Sequence, residues 1–424
     1  MSWVLWHPTP SLDHYMGIIM HIDMNAYFAS VEQERDPTLR GCAIGVTSRR
    51  LKRGVIAAAS REAKACGVKT AMPVWQARRL CPDLILVPGN HELYEKTSGR
   101  IFDIFRRYTH LVEPFSIDEA FLDVTPVADD SLDAVAIAQS MKQIIAREIG
   151  ECLTSSVGIA PNKLVAKMAS DLQKPDGLVV VHARDVPSFM QARNLSDICG
   201  LGPKTLAKLA GIRVTSIADL QSVPLKTLEG LFHSYGRWLF HAARGEDDSP
   251  VVSEVSAPKS FGHVHTLSEN TNNPAVLRRV LFDLAEKVAS RMRAHNMSAL
   301  GVSVTVRYGD FQTVSRQTKS QAPIRDGLVL AQIGWMLFHH VRDPKRSVRL
   351  IGISARDVIS GRAAMLFPED RKRDRLLNVL DRISSRFGCR AWTRASLLKN
   401  SPLKSGSRWD SRRSPLAQAS QAPE

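Results

Sequence analysis

The chain has 424 residues, with 57 Lys and Arg against 42 Asp and Glu, a formal charge of +15 and an isoelectric point near 9.8. Such a length exceeds one typical core and predicts two to four domains, and the charge favours a polyanionic partner such as nucleic acid. Six scattered cysteines without C-x-x-C spacing argue against a disulfide framework or zinc site, and no leader or long apolar run argues for a membrane; a reduced, cytoplasmic protein is the expectation.

In chain order, residues 1–16 carry Trp3, Trp6, Pro8 and Pro10 and read as an irregular N-terminal extension. From Gly17 to about His182, predicted strands alternate with helices. The strands are Ile18–Asp23, Ile85–Pro88, Val112–Ile117, Ala120–Val124, Ser155–Ile159 and Leu178–Val181. The helices are Ala26–Glu34, Leu93–Tyr108, Leu132–Ile149 and Asn162–Asp171. This alternation predicts an α/β sheet with helices packed on it. A small insert, Ala29–Pro82, contributes strand-like pieces at Ala43–Thr47 and Gly54–Ala58. Residues 183–247 read as short helices, and 248–254 begin with turn formers and make a linker. Val255–Ser360 is an α+β segment with helices at Val276–His295 and Gly327–Val341. Its strands are Leu300–Tyr308, Thr313–Gln317 and Val348–Val358. It holds 15 basic against 7 acidic residues, so over half the excess charge sits on a quarter of the chain. A C-terminal segment, 361–400, includes a helix at Arg371–Phe387, and the tail 401–424 has a disordered composition.

Two segments carry the chemistry. The run Ile18-Ile19-Met20-His21-Ile22 reads as a buried strand ending on Asp23, and two short strands turn at Asp118-Glu119. An Asp-Glu pair alone is most often a solvated turn. Three carboxylates on rigid strand ends could instead share two divalent cations, the arrangement that serves in-line phosphoryl displacement, and an all-oxygen ligand set suits Mg²⁺.

The wording around these acids resembles the Y-family translesion DNA polymerases of the bacterial DNA polymerase IV type. It reads His21-Ile22-Asp23-Met24-Asn25-Ala26-Tyr27-Phe28 in the first segment and Phe115-Ser116-Ile117-Asp118-Glu119-Ala120-Phe121-Leu122-Asp123 in the second. The likeness runs over roughly residues 17 to 400. It implies a palm (17–28 and 92–182, a ferredoxin-like mixed sheet), small fingers (29–91) and an all-α helix-hairpin-helix thumb (183–247). An α+β little finger (255–360) would complete the fold. Asp23, Asp118 and Glu119 would be the catalytic acids and, with the Met24 carbonyl, the ligands of two Mg²⁺. Phe28 would be the steric gate against a 2′-hydroxyl.

Arg61, Lys64 and Lys174 would face the dNTP phosphates. Here the chain departs from the polymerase IV pattern, which often has Thr, Tyr and Arg where this one has Ala58, Arg61 and Lys64. The Ser60-Arg61-Glu62-Ala63-Lys64 wording is closer to the polymerase V catalytic subunit, and Lys offers a point charge in place of a fork. Gly200-Leu201-Gly202-Pro203-Lys204 resembles a helix-hairpin-helix turn that receives a DNA phosphate on backbone N–H groups. Lys259, Arg307, Arg316, Lys319, Arg349 and Arg356 are candidates for backbone contacts.

The implied partners are primer-template DNA and dNTPs, bound by a monomer. Met365, Leu366 and Phe367 stand where family members carry a sliding-clamp peptide. The implied activity is low-fidelity, template-directed translesion synthesis. A non-catalytic DNA-binding accessory subunit and a metal-dependent nuclease are the competing readings.

Overall fold

The computed structural model describes residues 17–48, 54–254, 257–361, 368–388 and 391–394. The expected N-terminal extension, the clamp-like peptide at Met365–Phe367 and the tail lie outside the described residues. The chain divides into two units between residues 256 and 257.

The N-terminal unit runs β1 (Ile19–Met24), α1 (Tyr27–Arg35), β2 (Ile44–Thr47), β3 (Ala58–Ala59), α2 (Arg61–Ala65), α3 (Val74–Leu80) and β4 (Ile85–Pro88). It continues with α4 (His91–Phe105), β5 (Val112–Pro114), β6 (Glu119–Asp123), α5 (Ser131–Glu148), β7 (Ser155–Ala160), α6 (Lys163–Ser170) and β8 (Leu178–Val180). Five of the strands form a mixed sheet in the order β5-β6-β1-β7-β8, in which only the β7–β8 pair is parallel. The apolar β1 lies at its centre because both faces are covered. Met20, Ile22 and Met24 enter a core with Tyr94, Ile101 and Phe105 of α4 and with Ala134 and Met141 of α5. The opposite face, carrying His21, lies under α6. That helix sits so close that a Cβ on Gly158 of β7 would fall 2.0 Å from the Ala166 carbonyl oxygen, so only glycine fits there.

A separate three-stranded sheet, β3-β2-β4, has its own core of Ile56, Ala63, Val74, Ala77 and Leu84. Of the expected strand Gly54–Ala58, only Ala58 and the following Ala59 are paired as strand; Val55 makes a single bridge to Pro73. The expected strand Val112–Ile117 stops at Pro114 because the chain folds back, and the Phe115 and Ser116 amides both donate to the Glu119 carbonyl (3.0 and 3.1 Å). The unit closes with short helices α7 (Val186–Gln191), α8 (Pro203–Ala210), α9 (Ile217–Ser222), α10 (Leu225–Phe232) and α11 (Ser234–Ala242). Their apolar residues Leu209, Leu220, Leu228 and Leu239 belong to one core with Phe121 and Leu164.

The C-terminal unit is β9 (Ser260–Thr271), α12 (Pro274–Ala294), β10 (Met297–Tyr308), β11 (Thr313–Ile324), α13 (Gly327–Val341), β12 (Val348–Ser360) and α14 (Pro368–Phe387). The antiparallel sheet is ordered β11-β10-β12-β9. Val302, Val304, Val306, Ile351 and Ile353 point to one side, where they are buried with α12 and α13. The cross-strand register places Ser303, Thr305 and Arg307 on the opposite side, with Ser354 and Gly352 as partners. Most of β9 and the second half of β11 exceed the expected strands. Both lie at sheet edges and are largely polar, so alternation does not mark them.

Candidate active site

The β1 run ends on Asp23, and its backbone register sets Asp23 opposite Glu119. The Met24 amide donates to the Asp118 carbonyl at 2.9 Å, so the two acidic segments are tied together through their backbones. After Asn25, Ala26 adopts a left-handed φ of 48° and turns the chain into α1, which presents Phe28. Asn25 braces the turn: its Oδ1 accepts from the Asp176 amide (2.8 Å) and the Thr154 hydroxyl (3.1 Å), and its Nδ2 donates to Ser156. The Asp176 bond holds the loop that carries Lys174.

A cleft of about 770 Å³ opens over this end of the sheet. Its walls include Asp23, Met24, Phe28, Ala57–Ala59, Arg61, Lys64, Asp118 and Lys174. Phe28 is therefore a wall residue, held flat by stacking on Tyr94 (centroids 4.3 Å apart, 14° between planes). Tyr94 is in turn fixed by its hydroxyl bond to Glu32 (2.6 Å) and by accepting from the Tyr27 hydroxyl (2.7 Å). Arg61 and Lys64 are exposed on α2, whose N-cap Ser60 accepts from the Ala63 amide.

The three carboxylates differ in their partners. The Lys174 ammonium donates to Asp23 (2.5 Å) and to Asp171 (2.7 Å). These two anions outweigh the burial that would lower the Lys174 pKa, and hold it above the usual lysine value. Asp118 accepts from the Ser116 hydroxyl (2.5 Å). Its carboxyl is nevertheless pushed up, first by burial and then by the neighbouring Asp23 and Glu119 anions. Glu119 turns the other way, under α6, to Lys167 and to His21 Nε2 (3.2 Å). Burial alone would raise its pKa, but the His21 and Lys167 contacts hold it at about 2.

His21 is fully buried, and burial lowers its pKa. The Ser170 hydroxyl gives its proton to the Lys167 carbonyl (2.8 Å), so it accepts from His21 Nδ1 (2.7 Å). That leaves Nε2 facing Glu119 and the Lys167 ammonium. His21, Lys167 and Ser170 were not among the expected site residues. The signal for His21 was a polar side chain inside an otherwise apolar strand, which must find a buried partner.

Among the described residues, no three His, Cys, Asp or Glu side chains are gathered as one metal shell. Lys167 and Lys174 draw Glu119 and Asp23 to separate partners. The donors are all oxygens, however, and the Asp118 carboxyl, pushed up first by burial, also feels the Asp23 and Glu119 anions beside it. A hard divalent cation relieves that crowding, so the residues present fit such an ion.

Away from the cleft, Gly200 has a φ of +101°, and a Cβ there would meet the Trp238 ring at 3.1 Å, so glycine is needed. Gly202 caps α8, and Gly202 and Lys204 are exposed beside it. In the C-terminal unit the register sorts the expected cations. Arg307, Lys319 and Arg356 fall on the open face, since Lys319 and Arg356 both pair with Gly301. Arg316 pairs with Val304 and belongs to the opposite side of the edge strand. Arg349 lies over the Phe311 ring at 4.6 Å, and Lys259 is exposed just before β9. These residues therefore do not form one surface.

Residues 22–171 match the model of the impB/mucB/samB family, and residues 258–366 match that family's C-terminal domain. The chain belongs to this family. Among its relatives, DNA polymerase IV 1 of Bacillus subtilis (strain 168) is 35% identical over 396 residues, covering 91% of this chain and 94% of the relative. DNA polymerase IV of Moorella thermoacetica is 38% identical over 383 residues, covering 89% and 95%. A Y-family DNA polymerase chimera built from Dbh and Dpo4 superposes with a TM-score of 0.74 at 28% identity, covering 81% of this chain and all of that one. An insertion ternary complex of Dbh DNA polymerase gives 0.57 at the same identity and coverage.

Proposed function

We infer that this family member is a template-directed DNA polymerase of the translesion type, adding dNTPs to a primer 3′ end. The observation that carries this reading is one cleft wall bearing Asp23, Asp118, the Phe28 ring and the cations Arg61, Lys64 and Lys174. A nuclease needs the acids but has no use for an aromatic floor opposite a cation set. An accessory subunit needs neither.

In this reading the five-stranded sheet is the palm, the small sheet with α2 and α3 the fingers, α7–α11 the thumb and the C-terminal unit the little finger. Asp23, Asp118, Glu119 and the Met24 carbonyl hold two Mg²⁺. Two such ions, when bound, lower the pKa of the primer hydroxyl and offset charge as pyrophosphate leaves. The protein's own part is placement. The backbone bond from Met24 to Asp118 fixes the acids, Lys174 sits beside Asp23 where it can contact a phosphate, and Arg61 and Lys64 supply charge from α2. Phe28, rigid against Tyr94, leaves no room for a 2′-hydroxyl under the sugar. Ala57, Ala58 and Ala59 leave little bulk over the base pair, consistent with tolerance of damaged templates. Gly200, Gly202 and Lys204, with Lys259 and the open-face cations, engage the DNA backbone. The protein acts as a cytoplasmic monomer, and Met365, Leu366 and Phe367 offer a weak clamp-docking peptide.

Primer extension on undamaged and abasic templates, with Asp118→Ala beside the native protein, tests this. Extension is expected only with divalent metal and with Asp118. Degradation of labelled DNA with metal and no dNTP would instead establish the nuclease.

A further inference from the structure

The helix α14 docks with the wrong face inward. On the side toward the rest of its unit, Asp381 takes a two-pronged contact from the buried Arg293 (2.7 and 2.8 Å). Asp374 lies 3.7 Å from Arg325, and Arg373 pairs with Asp326. The returning chain adds Arg394 to Glu286 (2.9 Å) and Trp392 to Ser384 (2.8 Å). Leu377 is the one apolar side chain among the described residues of α14 that is fully buried. The apolar remainder faces out: Leu376 is 55% exposed, Val379 41% and Phe387 69%, with Leu380 and Ile383 half-buried between them. A helix held by ion pairs while Leu376, Val379 and Phe387 face water is not explained by folding of its own unit.

Two of these exposed residues and the two half-buried ones between them have a pattern. Leu376, Leu380, Ile383 and Phe387 are spaced four, three and four apart, which is the alternation of a coiled-coil seam. The seam is narrow and runs for about 16 Å at 1.5 Å per residue. On its outer side lie the exposed cations Arg371, Lys372, Arg375, Arg382 and Arg386, while its inner side is closed by the buried Leu377 and the half-buried Ser384. Among the described side chains of the helix, Glu369 at its start is the exposed acid.

We propose that α14 is a docking helix for another protein, whose matching element is an α-helix with apolar a and d positions and acidic flanks. Charge selects this occupant. A second copy of the chain would set arginines against arginines, and the strongly basic tail beyond residue 395 would meet the same repulsion. A lipid surface calls for a broad apolar face, not a two-residue-wide seam. The short seam limits the contact to the small, reversible class. The seam shares no residue with the cleft, so substitutions on it are expected to leave nucleotide addition unaltered.

The test uses the full chain and a fluorescein-labelled synthetic helix of about three heptads, Leu at a and d and Glu at e and g, read by anisotropy. Saturable binding at roughly 10 µM is expected, with a Lys-flanked version at least about tenfold weaker. Leu376→Glu with Phe387→Glu should weaken binding at least about tenfold while primer extension stays unchanged. Leu376→Ser with Phe387→Ser repeats the test should the glutamates unfold the helix. Reversing Lys372, Arg375, Arg382 and Arg386 to Glu should invert the peptide preference. Equal binding of both peptides, or unchanged binding by both double variants, would overturn the proposal. So would dimerisation, or flotation with anionic vesicles, that the double variants abolish.

Discussion

At the end of β1 and β6 each carboxylate has an assigned partner: Asp23 with Lys174, Asp118 with Ser116, Glu119 with Lys167 and His21. On the open face of the C-terminal sheet, Arg307 and Arg356 sit among hydroxyls and glycines and bond to the neutral Thr313 and Gln317. Partly buried charges at fixed distances feel each other strongly and can be tuned. Charges spread over an exposed sheet are screened and act by their sum. The first arrangement suits chemistry at one atom, and the second suits holding a long polyanion without reading its sequence. Removing one group should be severe in the first region and graded in the second.

The sharpest break of that contrast is Asp118→Ala. Among the described residues, the side chain that bonds its carboxylate is Ser116 of the same turn, so the fold should survive while nucleotide addition falls by ~10³-fold or more. Steady-state primer extension measures the fall and anisotropy measures DNA affinity, which should be unchanged or tighter. Extension within about tenfold of the native protein would remove Asp118 from the chemistry.

Next comes Phe28→Ala. Because the ring lines the wall as well as packing on the core through Tyr94, its loss should raise ribonucleotide over deoxyribonucleotide incorporation by about a hundredfold, equivalent to about 2.7 kcal/mol of exclusion. An unchanged ratio would mean that Tyr94, not the sugar, is what Phe28 is shaped for.

In the C-terminal unit the effect should be incremental. Arg307→Glu, Lys319→Glu and Arg356→Glu together should flatten the slope of log K against log salt by about 2.7, near 0.9 for each phosphate no longer engaged. Arg316→Glu, on the opposite side of the edge strand, should change it far less. Equal slopes for Arg316 and Arg307 variants would show that total charge matters and face does not.

The legibility of the two regions in sequence follows the same divide. An apolar run that ends on Asp23 and a turn at Asp118-Glu119 are visible because burial and turn formation are local. The direction of the Glu119 side chain is not, since it depends on Lys167 and Ser170, roughly fifty residues along the chain on a helix that reads as ordinary. Arg307 and Arg316 look alike in sequence. Their opposite faces are set by the hairpin register, which pairs Arg307 with Thr313 and Arg316 with Val304, and that register depends on how the turn between the two strands closes. The strands β9 and β11 exceed their expected lengths for a related reason. Edge strands carry polar residues on both sides, so the alternation that marks β1 and β10 is missing.

The smallest expected effect concerns a positioned charge that does no chemistry. Asp219, half-buried at the start of α9, accepts from the Thr215 amide (3.0 Å), the Ser216 amide (2.9 Å) and the Thr215 hydroxyl (3.0 Å). The backbone bond from Thr215, followed by those from Ser216, lowers its carboxyl from the ordinary 3.8 to about 2. The folded state therefore binds this proton less readily than the unfolded chain, so the bond network stabilises the fold above about pH 4 and its contribution disappears as pH falls toward 2. Asp219→Asn should lower the urea midpoint slightly at pH 7, and the two midpoints should converge between pH 4 and pH 2, with polymerisation at neutral pH unaffected. Midpoints that stay apart down to pH 2 would mean that the helix cap works through geometry alone. The neutral amide would then be a poor acceptor rather than a missing charge, and fixed position would matter here without electrostatic tuning.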